Sequence, residues 1–150
     1  MEQQPPPIRI SENFTLEEFT RSTTAQANKI DNAAYVTDEI MENIKYLTTN
    51  LLQPLRTAWG DTIYITSGFR CKKLNKLVFG SKTSEHLKGL AVDICPRHGR
   101  MKEFQEFVQE FLETHDYNQC IFEKPHLHIP QWIHLSLSRK NNKRQTFELA

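Results

Sequence analysis

The chain contains no long apolar run. No window of its 150 residues approaches the length of a membrane span, and its first residues lack the apolar core of a secretory signal. Synthesis in a cytoplasm, no recognisable export route and no membrane insertion are therefore expected. Cysteine is scarce: Cys71, Cys95 and Cys120 are odd in number, widely spaced and include no C-x-x-C pair. That spacing argues against a disulfide framework and a thiolate metal site. The three thiols read instead as small buried hydrophobes in a reducing compartment. A charge excess is lacking too, with 19 Lys and Arg against 18 Asp and Glu, and both signs are mixed along the chain. A polyanion partner calls for a basic stripe, so nucleic acid is not an expected ligand. There is no internal repeat, and no low-complexity tract beyond the leader that holds Pro5-Pro6-Pro7.

What remains fits a single folded domain. Hydrophobic residues at 38% and charged residues at 25% are ordinary for a globular chain. At this length one core is expected, burying roughly two-thirds of the chain's surface. Residues 1–10 read as a mobile Pro-rich leader, 11–138 as the domain, and 139–150 as a basic and polar tail.

The order of elements inside the domain is α+β, a small antiparallel sheet with flanking helices. Thr15-x-x-Glu18 is a capping box that opens a short helix over 16–21. From Asp38, the stripe Ile40, Ile44, Leu47, Leu51 and Leu55 marks a longer helix, which Pro54 should kink near its end. A strand is expected over 62–66, stopped by Ser67-Gly68, and then a short helix from Lys72 to Val78. Gly89 to Cys95 reads as a buried strand. Met101, Phe104, Val108, Phe111 and Leu112 give a second amphipathic helix. Residues 119–123 and 131–137 form an antiparallel pair joined by the loop 124–130.

Chemistry concentrates in Ser84-Glu85-His86-Leu87-Lys88-Gly89-Leu90-Ala91-Val92-Asp93, read with Trp132-Ile133-His134. Two imidazoles and a carboxylate are donors that zinc prefers, and three protein ligands leave a position open for catalysis. Gly89 permits a bend that brings His86 and Asp93 back to one point. In an alternating strand, His134 shares a face with Trp132 and Ser136, opposite Ile133 and Leu135. His126 and His128 lie between Pro125 and Pro130, as expected of a stiff exposed loop. Rival ligands, rim groups and plain loop histidines are the alternatives open for them.

These blocks resemble the zinc D-alanyl-D-alanine peptidases of the Hedgehog/DD-peptidase superfamily, whose signature is S-x-H-x(6)-D followed by W-x-H. Their small phage and prophage branch is the nearest in kind. The likeness runs from Asn13-Phe14-Thr15-Leu16-Glu17-Glu18-Phe19 through Leu52–Arg56, Ile65–Arg70 and Gly80–Ser84 to Trp132–Ser136. The resemblance implies a Hedgehog/DD-peptidase-like fold and zinc as cofactor, held by His86, Asp93 and His134. It implies that Glu123 is the catalytic carboxylate, although the segment from Glu123 to His134 is longer than the pattern leads one to expect. It also implies that Arg70 is a cation near the metal, able to bind substrate or stabilise developing negative charge. Ser84 is a candidate substrate contact, or a cap of its own turn. His98 and His115 fall outside every matched block.

The activity implied is zinc-dependent hydrolysis of a peptide bond in bacterial peptidoglycan. Carboxypeptidase and endopeptidase action are both open, with a lysin released by a phage lysis system or a wall-degrading domain carried on a virion as the settings. The partner implied is bacterial cell-wall peptide. The alternative on the same scaffold is a zinc-bearing, non-catalytic module for wall binding or virion assembly.

Overall fold

The computed structural model describes residues 5–150. The first four residues of the expected leader lie outside the described residues. Three short helical segments come first: α1 (Leu16–Thr20), α2 (Thr23–Ala27) and a 3-10 turn (Asn32–Tyr35). The capping box at α1 forms as expected, with Glu18 Oε2 accepting from the Thr15 backbone N–H at 2.7 Å. The end of the expected leader is tied down as well, because Leu16 N–H donates to the Ile8 carbonyl at 2.7 Å.

The long apolar stripe forms α3 (Asp38–Leu47), a π turn (Thr48–Leu52) and α4 (Gln53–Trp59). Pro54 does not end the helix. It lies in the first turn of α4, where its missing N–H is tolerated. The ladder is adjusted one step earlier: Gln53 N–H reaches back five residues to the Thr48 carbonyl. Gly60, at φ +77°, closes α4.

Five strands form one sheet in the order β1-β2-β4-β3-β5. They are β1 (Ile63–Ser67), β2 (Ala91–Pro96), β3 (Gln119–Glu123), β4 (Trp132–Ser136) and β5 (Gln145–Leu149). Between β1 and β2 lies α5 (Lys72–Leu77), followed by a 3-10 turn (Glu85–Lys88); α6 (Met101–Leu112) precedes β3. The first four strands pair antiparallel with their neighbours, whereas β5 runs parallel to β3, so the sheet is mixed. This corrects two expectations. The sheet is not wholly antiparallel, and the end of the expected polar tail is its outer strand.

The last segment is held from several sides. Arg144 donates to the Leu112 and His115 carbonyls, both at 2.7 Å, and Arg139 donates to Asn43 at 2.8 Å. A segment that pairs with a strand and is bonded to two helices is integral to the domain rather than appended to it.

The two faces of the sheet differ in chemistry. Val92, Ile94, Cys120, Phe122, Ile133 and Leu135 point into a core that they share with α3, α4 and α6. The free thiols Cys71 and Cys120 are buried, and burial pushes the Cys120 thiol up to about 12, so it packs as a neutral hydrophobe. The opposite face presents Asp93, His134, Ile121 and Glu123, and it forms the floor of a cleft of about 890 Å³.

Candidate metal centre

Register brings the carboxylate to the histidine. Asp93 in β2 lies directly opposite His134 in β4, so both side chains leave the sheet on the same face. His134 sits with Trp132 on the cleft side while Ile133 and Leu135 are fully buried behind it, as the alternation requires. His86 arrives from outside the sheet on the 3-10 turn. Ser84 Oγ accepts the His86 backbone N–H at 3.2 Å and starts that turn; Gly89 ends it at φ +77°. A side chain at Gly89 would meet Ile44 Cγ1 at 2.9 Å, so glycine is required both by conformation and by space.

A second loop completes the cradle. Ser67 lies opposite Asp93 across an irregularity of β1 between Ile65 and Ser67, and Thr66 Oγ1 donates to the Asp93 carbonyl at 3.2 Å. A bulge at this point turns the chain towards the site. The loop that follows is stitched to the histidine turn in both directions. Arg70 N–H donates to the His86 carbonyl at 3.1 Å, and the His86 Nδ1 atom lies 2.7 Å from the Gly68 carbonyl. Because a carbonyl only accepts, Nδ1 carries a proton and Nε2 is the ring atom that faces the site.

Three donor atoms converge there. His86 Nε2 lies 3.2 Å from Asp93 Oδ1, and His134 Nδ1 lies 3.1 Å from the same oxygen. All three atoms fall within 4.8 Å of one another, and the residues are 2, 5 and 8% exposed. Ligands placed about 2.0–2.1 Å from a tetrahedral zinc are about 3.3 Å apart. Both separations from Asp93 Oδ1 match that edge, and the two nitrogens and one oxygen are zinc's preferred donors. The residues present fit a zinc ion with one side open to the cleft.

Electrostatics support the same use. Burial works against a charged Asp93, yet the imidazoles of His86 and His134 outweigh it and hold the carboxyl well below the usual carboxylate range. Its second oxygen, Oδ2, accepts from Arg70 Nη2 at 3.3 Å, which leaves Oδ1 for the metal side. Arg70 is itself fixed by bonds to Ser67 Oγ at 3.0 Å and to Asn75 Oδ1 at 3.4 Å. Burial lowers its basicity, and the charges of Asp93 and Glu123 act in the opposite direction. Arg70 therefore lies beside the three donors and is bonded to the carboxylate among them.

Glu123 ends β3 and lines the cleft, with Oε2 accepting from Trp132 Nε1 at 2.8 Å. Ser84 also lines the cleft while capping its turn. His126 and His128 are not part of the metal-competent group. His126 pairs with Ile129 to close a tight turn whose tip, Leu127 and His128, has positive φ, and the exposed His128 ring bonds Glu148 at 2.9 Å.

Several residues of the site carried no signal in the sequence. Asn32 is 4% exposed; it donates to the carbonyls of Thr20 and Phe69 and accepts from Cys71 N–H, which fixes the loop that holds Gly68 and Arg70. In sequence it is one polar residue of a turn. Asn75 is equally buried and holds Arg70 and the Ser81 carbonyl. Lys143 and Leu149 reach the cleft from the end of the chain, and only the alternation of Phe147 and Leu149 hinted at a strand there.

A search of the curated proteins finds no match. The family profile described as Peptidase M15 matches residues 12–136, a span that includes Arg70, His86, Asp93, Glu123 and His134. It covers most of the chain and ends at the last residue of β4, before β5 begins. With the fold, the converging donors and this match in agreement, the chain belongs to the peptidase M15 family of zinc metallopeptidases.

Proposed function

We propose that the chain is a zinc-dependent peptidase that hydrolyses a peptide bond in bacterial peptidoglycan, with His86, Asp93 and His134 as the metal ligands. The observation that carries this reading is the convergence of three buried donor atoms at zinc-like separations on the floor of an open cleft. Zinc, when bound, supplies a Lewis acid that polarises a carbonyl and makes water acidic enough to lose a proton near neutral pH.

The protein's own groups divide the remaining work. Glu123 takes the proton from the attacking water on a carboxylate oxygen and passes it to the leaving amine. Trp132 holds that carboxylate in place through its indole N–H. Arg70 orients Asp93, and its positive charge favours negative charge developing on the carbonyl oxygen. Ser84, at the cleft wall, contacts the peptide. Retention of a carboxylate and a cation beside the donors favours a hydrolase over the non-catalytic wall-binding or assembly module, because a structural zinc site uses neither.

An endolysin or a virion-borne wall hydrolase of phage type is the setting we propose, with carboxypeptidase or endopeptidase action set by the bond that the cleft accepts. Mass spectrometry of purified peptidoglycan incubated with zinc-loaded protein, with and without chelator, tests the reading. New fragments bearing a fresh amine or carboxyl end, absent with chelator, are expected. Unchanged walls under both conditions would leave the non-catalytic module as the better description.

A further inference from the structure

The loop that closes α5 departs from the pattern of the surrounding surface. Leu77, Val78 and Phe79 are three consecutive apolar side chains, 41, 37 and 95% exposed. Such a run is disfavoured on a surface unless something covers it. The backbone is unusual as well: Phe79 sits at φ +58°, a left-handed conformation that bulky side chains rarely adopt.

This is a fixed loop. Gly80 N–H donates to the Asn75 carbonyl at 2.8 Å, and the buried Asn75 amide donates to the Ser81 carbonyl at 3.0 Å. Asn75 also accepts from Arg70, which in turn holds Asp93. The loop is thereby linked by hydrogen bonds to the metal centre, and Val78 and Phe79 form part of the cleft's rim.

Charge indicates what faces it. Lys72, Lys73 and Lys76 on α5 and Lys82 just beyond the loop are all exposed. None of them pairs with a carboxylate among the described residues, whereas Lys88, farther along, is matched by Glu85. Four unpaired cations around three apolar side chains select a partner that is anionic and also offers apolar surface. Because the patch is continuous with the cleft rim, one extended partner can reach both.

We infer that this patch is a second binding site for the wall polymer itself, an anionic chain of carboxylate-bearing peptides and sugar rings. Phe79 packs flat against the apolar face of a sugar or peptide unit, and the lysines take its carboxylates. The inference rests on the wall-peptidase reading and extends it, placing recognition outside the bond that is cut.

Retention on insoluble purified walls tests it, with the full zinc-loaded chain mixed briefly on ice and pelleted. Phe79→Gly is the informative variant, because glycine accepts the left-handed backbone. Its melting temperature stays level or rises, while retention falls about tenfold as the exposed aromatic anchor is lost. The double reversal K73E/K76E lowers retention about tenfold at low ionic strength and far less at about 0.5 M salt. Retention equal to wild type in both variants overturns the inference. Wild-type binding to vesicles of anionic phospholipid but not to walls overturns it in favour of a membrane surface. A dimer that dissociates in Phe79→Gly overturns it in favour of a second copy. The two readings also fail separately. Wild type that is retained through Phe79 yet releases no fragments sinks the hydrolase reading and supports this one. Fragment release with Phe79→Gly retained as well as wild type sinks this inference alone.

Discussion

The two sides of the cleft are built on opposite terms. On the inner side, His86, Asp93 and His134 are almost wholly buried, and Arg70, Gly68, Asn32 and Asn75 bond them or the loops that carry them. On the outer side, every residue of β5 is exposed, and Lys143 and Leu149 line the cleft. Buried polar atoms are expensive to leave unpaired, so the inner side tolerates one arrangement only. The outer wall is held by its backbone pairing to β3, and its side chains stay exposed even where Gln145, Thr146 and Glu148 bond their neighbours. Rigid donors suit a metal and a reacting bond; exposed side chains on a fixed strand suit recognition of a polymer.

The largest effect expected is on the inner side. His86→Ala, Asp93→Ala and His134→Ala each lower zinc affinity by more than about a hundredfold, beyond the 10- to 100-fold typical of losing an outer partner. Elemental analysis after dialysis reads this directly. His126→Ala and His128→Ala keep their zinc, because neither ring belongs to the donor cluster. Glu123→Gln separates chemistry from binding: zinc is retained while turnover on walls falls by about a hundredfold or more. Turnover close to wild type in that variant would move the base elsewhere.

Arg70→Lys comes next. A lysine cannot make three bonds, to Ser67, Asn75 and Asp93, from one planar fork. The account expects zinc affinity to fall about tenfold, together with a loss in catalytic efficiency of about tenfold or more. If zinc affinity holds and efficiency alone falls, Arg70 serves the substrate rather than Asp93. Asn32→Ala strips three buried bonds from the loop beneath Arg70, and about 3 kcal/mol of stability should go with them. Thermal melting would show this as a drop of roughly 6–12 °C.

The smallest effect belongs to the surface away from the cleft. Hydrogen bonds from Arg97, the Thr62 backbone and Arg100 lower the Asp61 pKa to about 2. Its folded value lies below its ordinary 3.8, so the stabilisation is present above that value and is lost as pH falls towards 2. Asp61→Asn should lower the melting temperature slightly at neutral pH and leave it unchanged at the acid end, so that the acid limb of the profile flattens. A neutral-pH melting temperature equal to wild type would show that these exposed bonds add nothing to stability.

Much of the inner side was legible in the sequence because its signals are local or periodic. A histidine, a glycine and an aspartate within eight residues, and a histidine in an alternating strand, retain their meaning wherever the chain goes. The same holds for the capping box at Thr15 and for the pairing of β3 with β4. What stayed hidden depends on contacts between distant segments. Nothing about Asn32 distinguishes it from an ordinary turn residue until Cys71 N–H arrives from 39 residues away. The strand at 145–149 was masked by the charged and polar residues around it, since an outer strand buries no side chain and shows only a weak alternation. Pro54 was read as a kink, but a helix can place a proline in a new first turn by inserting one wider turn before it.

The central claim is that one metal ion sits among His86, Asp93 and His134. Anomalous diffraction at the zinc edge from crystals grown with zinc tests it most directly. The account predicts one strong peak at about 2.0–2.2 Å from His86 Nε2, Asp93 Oδ1 and His134 Nδ1. A peak on His126 or His128, or none at the His86 cluster, would contradict it.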